Sequence, residues 1–201
     1  MKLYKLLAPL FTLFIVVVYA QNTTTPQDFL TQEFHKDRRE KLRKLLPKNS
    51  VAVFFANPVR NRANDVDFVY HQDPNFYYLT GYKEPHALLL LFKDEQINGT
   101  LTYNELIFVQ ERNEYAEMWT GKRLGVEGVQ DQLGFRVVYN GREFTSHEID
   151  FSKFDKIIFK DFKNDVRDTR DEADLFDLIK TFKKKVSFNL INLTKTTNDK
   201  I

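Results

Sequence analysis

The stretch Asn61–Glu84, NRANDVDFVYHQDPNFYYLTGYKE, carries the most information about how this chain folds. It places acidic side chains within a dense run of aromatic ones: Asp65, Asp67 and Asp73 stand among Phe68, Tyr70, Phe76, Tyr77, Tyr78 and Tyr82. A strand buried in a core would exclude the acids, and a simple solvent-exposed loop would not hold so many rings. We therefore expect this stretch to line a surface against which something docks.

The second half of the stretch predicts a short helix. Asp73 is placed to cap a helix that begins at Pro74, because Pro suits the first helical position and Asp suits the N-cap. Gly81 is placed to end it. We expect Phe76, Tyr77 and Leu79 to pack beneath this helix, which makes the motif a scaffold.

On the N-terminal side of the stretch, the nearly continuous apolar run Ser50–Ala56 predicts a strand buried on both faces of a sheet. A helix should precede it, beginning after the cap Thr25-Pro26 and ending at Pro47. We expect its buried stripe to consist of Phe29, Phe34, Leu42, Leu45 and Leu46. The charged run 35–44 is expected to form its solvated face.

On the C-terminal side, strands and helices alternate. Strands are expected over residues 87–92, 106–110 and 156–159, with an extended segment at 135–139. The pair Asn98-Gly99 predicts a turn that closes an antiparallel hairpin. Helices are expected over residues 126–133 and 168–184, with a short amphipathic piece at 114–119. The pattern indicates an α/β fold in which helices flank a mixed sheet.

Composition indicates one folded domain. The chain has 201 residues, of which 42% are hydrophobic, so it is long enough to bury a core. Its 30 Lys and Arg nearly balance its 28 Asp and Glu, for a net charge of +2. The balance gives no electrostatic reason to expect a nucleic-acid partner.

The first twenty residues resemble a secretory signal peptide. Lys2 and Lys5 precede the apolar run 6–18, and Ala20 follows at a position suited to cleavage. The run is shorter than the roughly 20 apolar residues of a spanning helix, although an uncleaved N-terminal anchor is the alternative. We expect an exported protein, periplasmic or secreted, with no membrane association after cleavage of residues 1–20. Residues 21–33 are expected to be a linker and helix start.

The sequence contains none of the common catalytic motifs. It has no cysteine, which excludes disulfides, thiolate metal sites and thiol catalysis. Its four histidines stand in unrelated segments and form no paired-His metal motif. It also lacks the G-x-S-x-G elbow and the P-loop. On chemistry alone, the chain is expected to be a non-catalytic domain without a metal site of its own.

Several motifs in order along the chain resemble one family. They are Arg38-Arg39-x-x-Leu42, Val51–Ala56, Arg62-Ala-Asn-Asp65, Asp73–Gly81, Glu84-Pro85 and Glu117-Met-Trp-Thr-Gly-Lys-Arg-Leu-Gly125. Together they resemble the N-terminal domain of Xaa-Pro aminopeptidases, the aminopeptidase P branch of the creatinase and prolidase group. A dipeptidase or creatinase-like member is the less favoured reading, because the motif at residues 117–125 is nearer the aminopeptidase branch.

The resemblance implies a six-stranded mixed sheet flanked by helices, over residues 34–185, and an enzyme that acts on peptides with proline second. It implies a separate catalytic domain with two metal ions, usually manganese, and a homo-oligomer. Nothing after Lys184 matches the segment that introduces the catalytic domain, so residues 186–201 are expected to be a tail. We expect this chain alone to have no peptidase activity.

The resemblance also implies two site residues that act in trans. Asp65 matches an acidic residue near the active-site mouth of a neighbouring subunit, where it could pair with a substrate amine or an arginine. Trp119 matches a tryptophan that walls the neighbour's substrate pocket, and its flat ring suits a proline ring. The alternatives are a turn residue for Asp65 and a core or interface anchor for Trp119. Arg123 follows and could fix the position of Trp119, or could simply be solvent-exposed.

A second function stays open on the sequence. The chain could be a stand-alone interaction or assembly module that has this fold and no peptidase activity. Reading the coding sequence past Ile201 separates the two, because the enzyme hypothesis requires metal-ligating aspartates and a histidine downstream.

Overall fold

A computed structural model describes residues 30–186 of the chain. The helices are α1 (Gln32–Leu45), α2 (Pro74–Thr80), α3 (Glu114–Thr120), α4 (Gly125–Leu133), α5 (Glu143–Ser146) and α6 (Leu175–Val186), with a 3₁₀ turn at Phe151–Lys153. The strands are β1 (Ser50–Phe55), β2 (Asn61–Ala63), β3 (Val66–Asp67), β4 (Leu88–Asn98), β5 (Leu101–Val109), β6 (Val138–Asn140) and β7 (Lys156–Phe159). The predicted signal peptide at residues 1–20, the Thr25-Pro26 cap and residues 187–201 of the predicted tail lie outside the described residues.

The predicted mixed sheet is confirmed. Its five strands have the order β6-β5-β4-β1-β7, and β2 and β3 form a separate two-stranded sheet, where six strands in one sheet were expected. Strand β4 is antiparallel to β1 and β5, whereas β7 is parallel to β1 and β6 is parallel to β5. Consequently β1, β5, β6 and β7 all run in one direction, and their carboxyl ends lie at the same edge of the sheet.

Helices cover both faces of this sheet. On one face, Ala52, Leu89, Leu91 and Ile107 of the strands belong to a buried cluster with Phe76 of α2 and Val129 of α4. On the other face, Val53, Leu90 and Phe108 belong to a second cluster with Phe144 of α5 and Phe182 of α6. Because successive residues of a strand point to opposite faces, both faces are covered where β1 and residues 88–92 of β4 are almost entirely apolar, whereas residues 93–98 of β4 are mostly polar.

The predicted turns and caps near the sheet are confirmed. Strands β4 and β5 pair as an antiparallel hairpin around Asn98, although both strands are longer than predicted. Asp73 caps α2, since its Oδ1 accepts hydrogen bonds from the Asn75 and Phe76 N–H groups at 3.0 and 3.2 Å. Gly81 ends α2 at a φ of 73°, a left-handed conformation that suits glycine.

The predicted buried stripe of the first helix is partly wrong. Leu45, expected in the core, is 82% exposed, whereas Arg39, expected in the solvated face, is fully buried. His35 and Leu46 are also buried. The face of the helix that packs against the domain therefore carries His35 and Arg39. Contacts with residues distant in the sequence outweigh the hydrophobic pattern here. Phe29 lies outside the described residues.

The last helix begins seven residues later than predicted, at Leu175 and not at residue 168. Arg170 and Ala173 have φ values of 64° and 63°, which are incompatible with a helix. Asp174 then caps the helix, because its Oδ1 accepts the Asp177 N–H at 2.7 Å. Residues 160–174 are irregular as a result.

Within residues 30–186, no helix is both long enough and apolar enough to span a membrane.

Candidate functional site

A cleft of about 470 Å³ lies where the strands end. Its walls come from residues 58–70, which follow β1, residues 84–86, which precede β4, and residues 166–175, which follow β7. Gln110 and residues 119–123, which follow β5, complete it. In α/β sheets, ligands generally bind outside the carboxyl ends of the strands, so the position of this cleft fits a binding site.

The hairpin of β2 and β3 forms one wall. The Asn61 side-chain amide donates to the Asn64 carbonyl at 3.0 Å, to the Val66 carbonyl at 3.1 Å and to the Asp67 carboxylate at 3.2 Å. These bonds hold a turn in which Asn64 has a φ of 51°, a conformation that asparagine tolerates. Asn61, Asp67 and the 56% exposed Phe68 line the cleft.

Asp65 lies in the turn of this hairpin. It is exposed and is not among the residues that line the cleft. The acidic residue that the hairpin does present to the cleft is Asp67. A role of Asp65 in trans stays a prediction.

Trp119 lies on α3 and lines the cleft. It is 80% exposed, and α3 has no buried residue. Helix α3 is instead held by polar contacts, since Asn113 caps it by accepting the Ala116 N–H at 2.9 Å and Gly121 ends it at a φ of 85°. The alternative of a core anchor for Trp119 is therefore wrong. Its role in a neighbouring subunit stays a prediction.

Residues 111–123, which we call the Trp119 segment, leave the body of the domain after Gln110 and return at Leu124. Inside the segment, the Arg123 side chain donates to the Glu111 carbonyl at 3.3 Å, and Arg112 pairs with Glu117 at 2.7 Å. The Arg123 contact joins the last residue of the segment to the first. It therefore agrees with the suggested role of Arg123 in fixing the position of Trp119.

Glu84 anchors the return of this segment. Its Oε1 accepts the Leu124 N–H at 2.8 Å, and its Oε2 accepts the hydroxyl of the fully buried Tyr82 at 2.9 Å. Burial raises the pKa of the Glu84 carboxyl, and the hydrogen bond from Leu124 partly opposes that rise. The sequence placed Glu84 only within a family motif and did not identify this contact.

His86 lies beside Glu84 on the cleft and has a φ of 56°. Its Nδ1 accepts the Leu175 N–H at 2.9 Å, so the neutral ring carries its proton on Nε2. Burial lowers the pKa of His86, which favours this neutral form. The His86 side chain thereby connects the segment just before β4 to the first residue of α6.

The irregular segment 160–174 forms another wall of the cleft through residues 166–171. Arg60 pairs with Asp165 at 2.6 Å, and Lys163 pairs with the cap residue Asp73 at 3.4 Å. These ion pairs hold the irregular segment against the hairpin side of the domain. Arg167 and Thr169 of this segment line the cleft.

The side chains around the cleft are suited to binding. Within residues 30–186, no group of three or more His, Asp or Glu side chains could hold a metal ion. The cleft combines the exposed rings of Phe68 and Trp119 with the cationic side chains of Lys122, Arg123 and Arg167. Aromatic and cationic groups at an open rim are typical of a surface that contacts a peptide or another protein.

The chain is similar in sequence to Xaa-Pro aminopeptidases. The profile of the family described as "Aminopeptidase P, N-terminal domain" matches residues 35–156, which is more than half of the chain. Xaa-Pro aminopeptidase 3 of Dictyostelium discoideum is 42% identical over 105 residues, which are 52% of this chain and 20% of that protein. The Xaa-Pro aminopeptidase of Haemophilus influenzae is 36% identical over 117 residues, which are 58% of this chain and 26% of that protein. The alignments thus span about a quarter or less of these relatives.

Solved structures agree on the fold. Aminopeptidase P from Escherichia coli, in a complex with the inhibitor Pro-Leu, superposes with a TM-score of 0.62 at 24% identity. The match covers 82% of this chain and 35% of that one. At this identity the likeness shows the fold alone.

Proposed function

The chain belongs to the family of aminopeptidase P N-terminal domains, and from this premise we propose that it works as the non-catalytic domain of an exported Xaa-Pro aminopeptidase. The whole enzyme would remove the N-terminal residue that precedes proline. The chain described here would serve assembly of the oligomer and shape the substrate cleft of a neighbouring subunit.

The observation that carries the proposal is the exposure of Trp119. A tryptophan ring that is 80% exposed on a helix without buried residues contributes little to the core of its own domain. Tryptophan is enriched where proteins contact partners, because its large ring loses much apolar surface to water on contact. A ring held at the rim of a cleft is suited to cover the pyrrolidine ring of a substrate bound next to it.

The residues described here do not fit the two manganese ions of the family, since no group of His, Asp or Glu side chains among them could hold a metal ion. We assign these ions to the catalytic domain of the whole enzyme, where they would activate the attacking water. The chain's own residues would bind and orient: Trp119 against the proline ring, and Asp65 beside the substrate amine or a neighbouring arginine.

The test measures hydrolysis of a short Xaa-Pro peptide by the full-length protein that carries this chain. We expect Trp119→Ala to lower kcat/KM about tenfold or more, because an aromatic contact at a recognition site contributes about 1–2 kcal/mol or more. Ile97→Ala is the control, since Ile97 is 77% exposed near the end of β4 and does not line the cleft; it should change kcat/KM less than twofold. A Trp119→Ala variant as active as the wild type would contradict the proposal.

Asp65 is tested in the same assay. We expect Asp65→Asn to raise KM for the peptide, whereas Asp94→Asn, in a distant part of β4, should not. The oligomeric state of both variants, measured by light scattering, separates a defect in assembly from a defect in the cleft.

The second candidate function is a stand-alone assembly module, which the exposed apolar side chains beside the cleft also favour. Val66, Phe68 and Val69 near the hairpin and Tyr115, Met118 and Trp119 on α3 are all more than half exposed. A coding sequence that stops at Ile201, together with co-purification of the chain with a full-length Xaa-Pro aminopeptidase, would favour this function. Metal-ligating residues encoded downstream would favour the enzyme.

A further inference from the structure

The two ends of the Trp119 segment are attached to neighbouring residues of the body of the domain, Pro85 and Glu84. On the side where the segment leaves, the Gln110 side chain donates to the Pro85 carbonyl at 3.0 Å. On the side where it returns, the Leu124 N–H donates to the Glu84 carboxylate at 2.8 Å. The exposed Arg142 adds an ion pair to Glu111 at 3.2 Å. Because α3 has no buried residue, we expect these polar contacts to contribute strongly to where Trp119 lies.

Glu84 is itself held firmly. Its second carboxylate oxygen accepts the hydroxyl of Tyr82, which is fully buried. Its backbone carbonyl accepts the Gln72 side-chain amide at 2.8 Å. Because Glu84 is held through both its side chain and its backbone, its other carboxylate oxygen can hold the Leu124 N–H in one place.

The same contacts reach the hairpin that carries Asp65 and Asp67. Gln72 also accepts the Tyr70 hydroxyl at 2.9 Å and the Asn57 N–H at 2.9 Å. Asn57 and Tyr70 flank the two ends of that hairpin. A continuous hydrogen-bonded network therefore joins the hairpin, through Gln72 and Glu84, to the Trp119 segment.

We propose that Glu84 is a positioning residue that sets the Trp119 segment relative to the β2–β3 hairpin through its bond to the Leu124 amide. The functional meaning of this inference rests on the proposed role of Trp119, but the positioning itself belongs to this chain alone. Glu84 touches no substrate in this scheme and acts only through the two walls of the cleft that it connects.

The position of Glu84 also makes the contact dependent on pH. Burial raises the pKa of its carboxyl, whereas the hydrogen bonds from Leu124 and Tyr82 and the nearby Arg123 lower it and the nearby Glu117 raises it. The contact with Leu124 by itself therefore favours the carboxylate. The carboxylate is present above this raised pKa and is lost as the pH falls through it. A neutral carboxyl accepts a hydrogen bond more weakly than a carboxylate, so acidification should loosen the return of the Trp119 segment.

The test is amide hydrogen exchange of Leu124 in the full chain, expressed as a protection factor so that the intrinsic effect of pH on exchange is removed. We expect Glu84→Ala to lower the protection of Leu124 about tenfold or more, since hydrogen bonds to charged groups contribute about 1.5–3 kcal/mol. The Gly134 N–H, which donates to Gln130 at the other end of α4, is the internal control and should change less than twofold.

Two further variants make the result specific. Glu84→Gln keeps the shape and an acceptor oxygen but does not titrate, so its Leu124 protection should not respond to acidification, whereas that of the wild type should fall. Glu95→Gln removes an exposed acid from β4 and should leave the response of the wild type unchanged. Fluorescence anisotropy of Trp119, the only tryptophan in the sequence, should decrease in Glu84→Ala as the segment gains mobility.

The outcomes separate this inference from the proposed function. Unchanged Leu124 protection and unchanged Trp119 anisotropy in Glu84→Ala would overturn the positioning role, whatever the activity of the whole enzyme. If Glu84→Ala does not fold, a pH response in Glu84→Gln equal to that of the wild type would overturn it. If Glu84→Ala loosens the segment but Trp119→Ala leaves kcat/KM unchanged, the positioning role stands and the proposed role of Trp119 fails.

Discussion

At the scale of single residues, Arg39 shows how a charge can occupy the interior of this domain. Its guanidinium donates to both carboxylate oxygens of Glu105, at 3.0 and 2.9 Å, and to the Leu79 carbonyl at 2.9 Å. It also lies over the ring of Phe135, 4.0 Å from the centroid. The buried charge is thus matched by an opposite charge and by hydrogen bonds, the condition under which burial of an arginine is tolerated.

We expect Arg39→Ala to destabilise the domain by about 3–5 kcal/mol, because it leaves the Leu79 carbonyl without its donor and leaves Glu105 with only the longer ion pair to Arg43 at 3.6 Å. The measurement is the free energy of unfolding from urea denaturation. Lys41→Ala is the matched control on the same helix, since Lys41 and Asp37 form an exposed ion pair at 2.8 Å. Such exposed pairs contribute about 0.3–0.5 kcal/mol. If both variants lost the same free energy of unfolding, the buried Arg39–Glu105 pair would contribute no more than the exposed pair.

At the scale of elements, helix α2 is defined by its ends. Asp73 is 6% exposed and caps the N-terminus, and its carboxylate also pairs with Lys163. At the other end, an added Cβ on Gly81 would lie 2.9 Å from the His35 ring. Only glycine therefore fits both the left-handed φ and the close approach of α1. The two ends together hold α2 against α1 and the sheet.

We expect Asp73→Ala to reduce the free energy of unfolding by about 1–2 kcal/mol, the usual cost of losing an N-cap. Asp73→Asn is the discriminating control, because asparagine caps about as well as aspartate but carries no charge for Lys163. A small loss in Asp73→Asn, beside a large loss in Asp73→Ala, would assign the stabilisation to the cap. Similar losses in both would assign it to the ion pair.

At the scale of the whole molecule, the sheet is completed by β7, whose residues lie beyond the family match except for Lys156, and by the helix that follows it. Strand β7 pairs with β1 over four residues, and α6 covers the face beside it. Phe182 of α6 is 1% exposed and meets Phe55, Phe151 and Phe159 edge to face, with ring centroids 5.4 or 5.5 Å apart. The C-terminal helix is thus part of the core.

We expect Phe182→Ala to cost about 3–5 kcal/mol of unfolding free energy, because it removes a large buried ring and leaves a cavity among three others. Lys180→Ala, at an exposed position of the same helix, should stay within about 0.5 kcal/mol of the wild type. Denaturant titration measures both. A Phe182→Ala variant as stable as Lys180→Ala would mean that α6 is not needed for the core.

Predictions from the sequence succeeded where local chemistry decides the structure. The apolar runs of β1, β4, β5 and β7, the cap at Asp73, the turn near Asn98 and the end of α4 at Gly134 each depend on a few adjacent residues. The failures share another cause. The prediction placed Leu45 in the core and Arg39 in solvent, whereas the structure shows the opposite. The residues that Arg39 contacts, Glu105 and Phe135, are distant in the sequence.

The sequence by itself determined the class of fold, the family motifs and the two candidate residues Asp65 and Trp119, because periodicity, turn chemistry and ordered motifs are local properties. Only the tertiary structure decided that Trp119 and Asp67 share a cleft from which Asp65 is set apart. Only it showed that Glu84 binds the Leu124 amide, forty positions away. Those relations depend on which surfaces the sheet brings together, and hydrogen bonds between distant segments leave no periodic trace in the order of the residues.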